Sequence, residues 1–221
     1  IPINILFAAI YDTFSNELTF DLSTTPRQTK NGVYKIPVVA KVKYEDAKEM
    51  VIPVPIDFKD NNKVIFETQF KAVEPLFEGD QKFYINTPSF EEHIAEKLYI
   101  IAHNTREDIP NTRVKDFYDI YKLFGKNYDE DKFSLYFEAM VMMYGMNLDD
   151  INADFLDKEF VKRHLELWEM IKEKYQFVDK EVELSEAVFF TKAVLSEQIQ
   201  KIRTGEFKNQ AYSLVRKKGK I

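Results

Sequence analysis

The 221-residue chain contains no cysteine. That excludes a disulfide framework and a thiolate zinc site, and it suits a reducing cytoplasmic setting. Histidine is almost as scarce. His93, His103 and His164 are the only three, too few and too scattered for an imidazole metal cluster. No apolar run approaches the roughly 20 residues of a membrane-spanning helix, so no membrane partner is expected. The opening IPINILFAAI is apolar but carries neither a basic leader nor a cleavage site, so it is not expected to act as a signal peptide. Glycine is rare: there are six, and none precedes a serine. Internal repeats and low-complexity segments are absent.

What is present is a globular composition. The chain is 45% hydrophobic and 31% charged, enough to bury a core and keep a solvated surface. The net charge of −6 is unevenly spread. Residues 203–221 hold six bases and one acid, for +5, which leaves −11 on the rest. The terminal VRKKGKI reads either as a solvated end or as a phosphate-contacting tail.

The chain changes character near residue 87, which divides it into a sheet region, 1–86, and a helical region, 87–221. Residues 3–14 have apolar residues at helical spacing. LTFDLS, KIPVVAKVKYE and EMVIPVPIDF read as strands, with Asn31-Gly32 as a turn between the first two. Pro53 and Pro55 cannot donate to a ladder, so the third strand is expected at an edge or to be irregular. KVIFETQF and KFYINT add shorter strands. Beyond them, Ser89 and Glu92 have capping-box spacing, and Gly125 is placed to stop the second helix. Three further segments, 131–146, 157–177 and 184–202, repeat apolar residues every 3.6 positions. Their Met, Phe and Tyr stripes are read as core. The expected class is α+β, with a small mixed or antiparallel sheet followed by a helical bundle.

Several charged residues stand out. Asp57 lies in a strand between Ile56 and Phe58, and on pattern alone it is a solvent-facing carboxylate. Lys97 borders the stripe of Ile94, Leu98 and Ile101. It reads either as a snorkelling lysine or as a phosphate-binding charge on a rigid element. Asp116 and Asp119 share a helix face with Lys115 and Lys122 nearby, which an exposed salt-bridge face would explain. Arg106 and Arg113 flank the loop joining the two helices.

Taken together, these residues carry a resemblance. Ala95-Glu96-Lys97, then Asn111, Thr112, Arg113, Lys115, Asp116, Asp119, Ile120 and Leu123, resemble the two helix motifs of the AbiEii/AbiGii toxin family of nucleotidyltransferases. NELTFDL and PVPIDF are similar to the family segments around its sheet. The resemblance covers roughly residues 1–125. It implies a fold of the DNA-polymerase-beta nucleotidyltransferase type and transfer of an NMP from an NTP, with Mg²⁺, to an acceptor such as tRNA. It further implies a toxin–antitoxin or abortive-infection role in phage defence, with a cognate antitoxin, in the cytoplasm. By the same resemblance Asp57 is the metal ligand and Asp57, Lys97 and Asp119 are catalytic. Lys97, Arg113, Lys115 and Asp116 bind substrate, and Asp119 ranks above Asp116.

One family feature is missing. No Gly-Ser followed by Asp-x-Asp occurs, and IPINI resembles the family segment just downstream of that motif. The expectation is therefore either a chain that starts downstream of the main metal ligands, inactive as it stands, or a degenerate member. In the second case it would be an inactive scaffold that binds an antitoxin or a nucleotide.

Overall fold

The computed structural model describes residues 18–21, 27–28, 33–43, 49–59, 66–73, 82–106, 113–175 and 178–218. The helix read over residues 3–14 and the Asn31-Gly32 turn lie outside them. The chain forms two compact units, Ile1–Val64 and Ile65–Ile221.

In the first unit, β3 (Val33–Lys43) pairs antiparallel with β4 (Glu49–Lys59) along its whole length, from Val33 opposite Lys59 to Lys43 opposite Glu49. The short β1 (Leu18–Asp21) and β2 (Arg27–Gln28) pair with β3 as well. Since β4 takes one edge of β3 throughout, β1 and β2 share the other. The prolines fit this register. Pro53 faces Val39 and Pro55 faces Pro37. Two facing prolines tolerate only a non-hydrogen-bonded pair, whose backbone groups point away from each other. Pro37 therefore turns toward the opposite edge, between the residues paired by β2 (Tyr34, Lys35) and those paired by β1 (Val39–Val42). Pro53 and Pro55 share its parity and turn toward the outer side of β4, which is unpaired among the described residues. Among the described residues β4 is thus an edge strand, in continuous register with β3.

The second unit opens with the antiparallel hairpin of β5 (Thr68–Val73) and β6 (Phe83–Pro88). Among the described residues six α-helices follow: α1 (Phe90–Arg106), α2 (Val114–Leu123), α3 (Glu130–Met143), α4 (Lys158–Lys174), α5 (Leu184–Thr204) and α6 (Lys208–Lys217). The class is α+β, mostly helical. The helical unit begins at Ile65, inside the stretch that reads as sheet, because side chains tie the start of the hairpin to the helices. The Glu92 carboxylate accepts the N–H groups of Phe66 and Glu67 at 3.0 and 3.1 Å. The Glu67 carboxylate accepts from Tyr136 Oη at 2.8 Å and from Lys132 Nζ at 3.0 Å. Phe66 stacks on Tyr136. Half of the capping box forms, with Ser89 Oγ accepting the Glu92 N–H. Glu92 then turns its own carboxylate to the hairpin.

Much of the apolar stripes becomes core, while Leu165, Met170 and Phe189 stay exposed. Phe117, Phe133, Phe137 and Trp168 are fully buried, and α1 packs on α3 and α2 on α5. Asp129 and Asp157 cap α3 and α4. Gly125 is not a left-handed stop. α2 ends with Phe124 still in right-handed helical geometry, and the positive-φ glycines among the described residues are Gly145 and Gly205. Part of the basic C-terminal stretch is helical: Arg216 and Lys217 occupy the last turn of α6, which packs Ala211 and Val215 against Ala139 of α3. No helix among the described residues is long and apolar enough to cross a membrane.

Candidate active site

Four charged side chains meet where α1 lies beside α2. The apolar stripe of α1 (Ile94, Leu98, Ile101) is fully buried, and Lys97, three residues after Ile94, is carried inward with it. Its side chain is only 11% exposed. A buried ammonium must be paired, and α2 supplies the partners. Val114, Phe117 and Ile120 anchor the inner face of α2. Asp116 and Asp119, one turn apart, bracket the lysine: Lys97 Nζ donates to Asp116 Oδ1 at 2.9 Å and to Asp119 Oδ2 at 2.8 Å. Arg113, at the N-cap of α2, brings its Nε against Asp116 Oδ2. That oxygen takes the approach as an ion pair and accepts no hydrogen bond among the described residues.

The electrostatics follow from this packing. Burial opposes the charged form of Lys97. The hydrogen bonds to Asp119 and Asp116, with their negative charge, outweigh it and hold the ammonium above the ordinary lysine value. Two cations and two carboxylates make a neutral cluster. The two carboxylates differ in access, since the Asp116 side chain is 3% exposed and that of Asp119 is 21%. Asp119 is therefore the member an incoming polar group meets more readily.

The other charged residues singled out in the sequence have their own surroundings. Lys122 pairs with Asp179 Oδ2 at 2.8 Å, not with Asp119. There, with the Tyr118 hydroxyl accepting the Asp179 N–H, it pins the segment before α5 to α2. Lys115 is half-buried in the first turn of α2. Asp57 stands in β4 opposite Lys35, in the other compact unit.

No group of three or more histidine, aspartate and glutamate side chains among the described residues is placed to hold a metal. The carboxylates of Asp116 and Asp119 are already engaged by the Lys97 ammonium, within a cluster whose charges balance. The chain does contain one Asp-x-Asp, Asp129-Glu130-Asp131. It opens α3, where Asp129 is a helix cap, and follows no glycine-serine loop.

Sequence reasoning did not foresee that Asp116 and Asp119 grip Lys97 alike. The i,i+3 spacing placed both on one face, but only the crossing of two helices shows what that face meets. It also passed over Glu138, a buried carboxylate on an otherwise apolar stretch of α3. Its signal was one acid at a core position of the helical repeat.

In a comparison with protein families, residues 7–213 match the model described as Nucleotidyl transferase AbiEii toxin, Type IV TA system. No curated protein and no solved structure matches significantly.

Proposed function

Because the chain belongs to the AbiEii family of nucleotidyl transferase toxins of type IV toxin–antitoxin systems, we propose that it transfers an NMP from an NTP to an acceptor such as the 3′ end of a tRNA. The observation that carries this reading is the buried Lys97 held between Asp116 and Asp119, inside the motif pair that resembles the family. The acceptor hydroxyl oxygen attacks the α-phosphorus, the bond to the β-phosphate oxygen breaks, pyrophosphate leaves and the hydroxyl gives up its proton. Charge grows on the leaving phosphates, so a preorganised ammonium is worth most there. Lys97 offsets that charge, with Arg113 and Lys115 at the start of α2 as further phosphate contacts.

Asp119, the more accessible carboxylate, yields part of its hold on Lys97 to the polyphosphate. Asp116 stays buried and keeps the lysine oriented. Mg²⁺ is the cofactor in this reading, with Asp57 as its ligand. It would neutralise phosphate charge, and the described cluster contributes no cage for it. NTP and tRNA place the reaction in the cytoplasm, with an antitoxin as its control.

A second reading is a catalytically inactive scaffold that binds nucleotide or antitoxin. It is favoured by one observation, that the charge of Lys97 is already balanced within the fold. One experiment separates the two. The protein is incubated with each labelled NTP, Mg²⁺ and bulk tRNA, beside the Lys97→Ala, Asp119→Ala and Asp57→Ala variants. Labelled RNA that falls about 100-fold or more in Lys97→Ala, as for loss of a preorganised charge, supports transfer. Nucleotide binding without labelling in any arm supports the scaffold.

A further inference from the structure

The hairpin that opens the second unit presents a bare face. Side chains alternate across a strand. The register sets Phe70 opposite Asn86 and Ala72 opposite Tyr84, so these four share one face, with Thr68 beside them. All five are exposed. Phe70 and Tyr84 carry the apolar surface there. They are 69% and 57% exposed, and their rings stack diagonally across the two strands, with centroids 5.0 Å apart and planes 12° apart. Each ring covers one side of the other and, at that exposure, keeps its second side open to solvent. Single exposed apolar residues are ordinary, but a stacked pair on an uncovered sheet face is a patch.

Cations stand near the base of the same hairpin. Phe66, just before β5, packs on the small cluster that Ala139 forms with Ala211 and Val215 of α6. The N–H groups of Phe66 and Glu67 bond to Glu92, and Glu92 in turn feels the charge of Lys218. The C-terminal end of α6 therefore lies near the first residues of the hairpin. That end carries Arg216 and Lys217, both exposed, and α6 contains no acid. Phe70 follows Phe66 by four residues, about 13 Å along an extended strand at roughly 3.3 Å per residue.

We propose that this face holds an unpaired segment of an RNA acceptor: its bases continue the Phe70–Tyr84 stack, Thr68 and Asn86 meet base edges or 2′-hydroxyls, and Arg216 with Lys217 take its phosphates. The identity of that strand rests on the transfer reaction proposed above. Two features of the face select this chemistry. A base is flat and completes a stack at either open ring, and only an unpaired strand can offer its base faces, since in a duplex they are already stacked. Charge then favours a polyanion at this end of the molecule alone, because residues 203–221 carry +5 while the rest of the chain carries −11. Apart from the two rings, the exposed residues of the face are Thr68, Ala72 and Asn86, small or polar side chains that leave the rings accessible.

Binding and transfer are measured separately. The intact protein is titrated, in EDTA and without NTP, into a fluorescein-labelled single-stranded RNA of about 12 nucleotides, within the range of single-strand sites, and anisotropy is followed. Saturable binding is expected, tighter than to the same RNA in a duplex. Phe70→Ala and Tyr84→Ala should each weaken it about fivefold or more, as for loss of one stacked base, and Phe70→Trp should retain it. Arg216→Ala/Lys217→Ala should weaken it and lower the slope of log affinity against log salt by about 1.4, at roughly 0.7 for each phosphate contact. Circular dichroism checks the fold of each variant. Should a ring-to-alanine variant lose the hairpin, Phe70→Leu and Tyr84→Leu, which keep apolar bulk without a ring face, carry the test. Binding that survives loss of both rings overturns the proposal, as does equal or tighter binding of the duplex. A dimer in sedimentation that Phe70→Ala disperses, with no RNA bound, also overturns it and gives the face to a second copy. Labelling of bulk tRNA then tells the two readings apart. Transfer with an unchanged KM for tRNA in the ring variants sinks the RNA face alone, whereas RNA bound at the rings without transfer sinks the transfer reading and leaves the RNA face standing.

Discussion

Replacing Lys97 by methionine keeps the length of the side chain and deletes its charge. What remains is a carboxylate, Asp116, whose side chain is 3% exposed and whose main partner is gone. Removing one partner of a buried ion pair costs about 3–5 kcal/mol. Two features of the site reduce that cost. Arg113 still approaches Asp116 Oδ2, and Asp119, at 21% side-chain exposure, can turn to water. The expected loss is therefore about 3 kcal/mol, near the bottom of that range. At about 2–4 °C per kcal/mol for a chain of this size, the melting temperature falls by roughly 6–12 °C. The penalty belongs to the stranded carboxylate, so Asp116→Leu added to Lys97→Met should restore part of it. The cycle should show a coupling of about 2 kcal/mol.

Urea unfolding followed by circular dichroism measures all four proteins of that cycle. The pH dependence has a defined sign. The folded-state pKa of Lys97 lies above its ordinary 10.5, so its stabilising contribution is complete below 10.5 and is lost as pH rises through the folded value. The advantage of wild type over Lys97→Met should be flat at neutral pH and shrink on the alkaline side. A Lys97→Met protein within about 0.5 kcal/mol of wild type, the usual range of surface substitutions, or strictly additive costs in the double variant, would refute the buried-pair reasoning.

Three other substitutions probe the frame around the site. Glu92→Ala strands the N–H groups of Phe66 and Glu67. It should cost about 2 kcal/mol and raise amide exchange at those two residues, read by hydrogen–deuterium exchange. Gly205→Ala meets no neighbouring atom, but it forces a side chain to φ 74°, so thermal unfolding should show a loss of about 1 kcal/mol from backbone strain alone. Trp168→Ala empties a fully buried position and should cost about 3–5 kcal/mol in urea unfolding, with the Tyr118 ring losing its neighbour.

Some of this protein was legible along the chain because the physics is local. Helical periodicity over 131–146 and 184–202 depends only on which residues fall on one face, and α3 and α5 form within a few residues of those limits. The prolines of β4 pointed to an edge or an irregular strand because a missing N–H is a property of the residue itself, and among the described residues β4 is an edge. The motif around Lys97, Asp116 and Asp119 marked the candidate site by resemblance, without showing its geometry.

Tertiary structure decided what local rules leave open. Whether Lys97 snorkels or is gripped depends on what stands across from α1, and that is α2, brought there by the burial of Phe117 and Ile120. Lys122 lies one turn from Asp119, yet it pairs with Asp179, 57 residues away. The second of the capping-box residues left its own helix to hold the N–H groups of a hairpin 25 and 26 positions earlier. In each case spacing sets which partners a charge can reach along its helix. Packing of apolar faces sets which partner from elsewhere in the chain is closer, and a buried charge takes the partner that spares it desolvation.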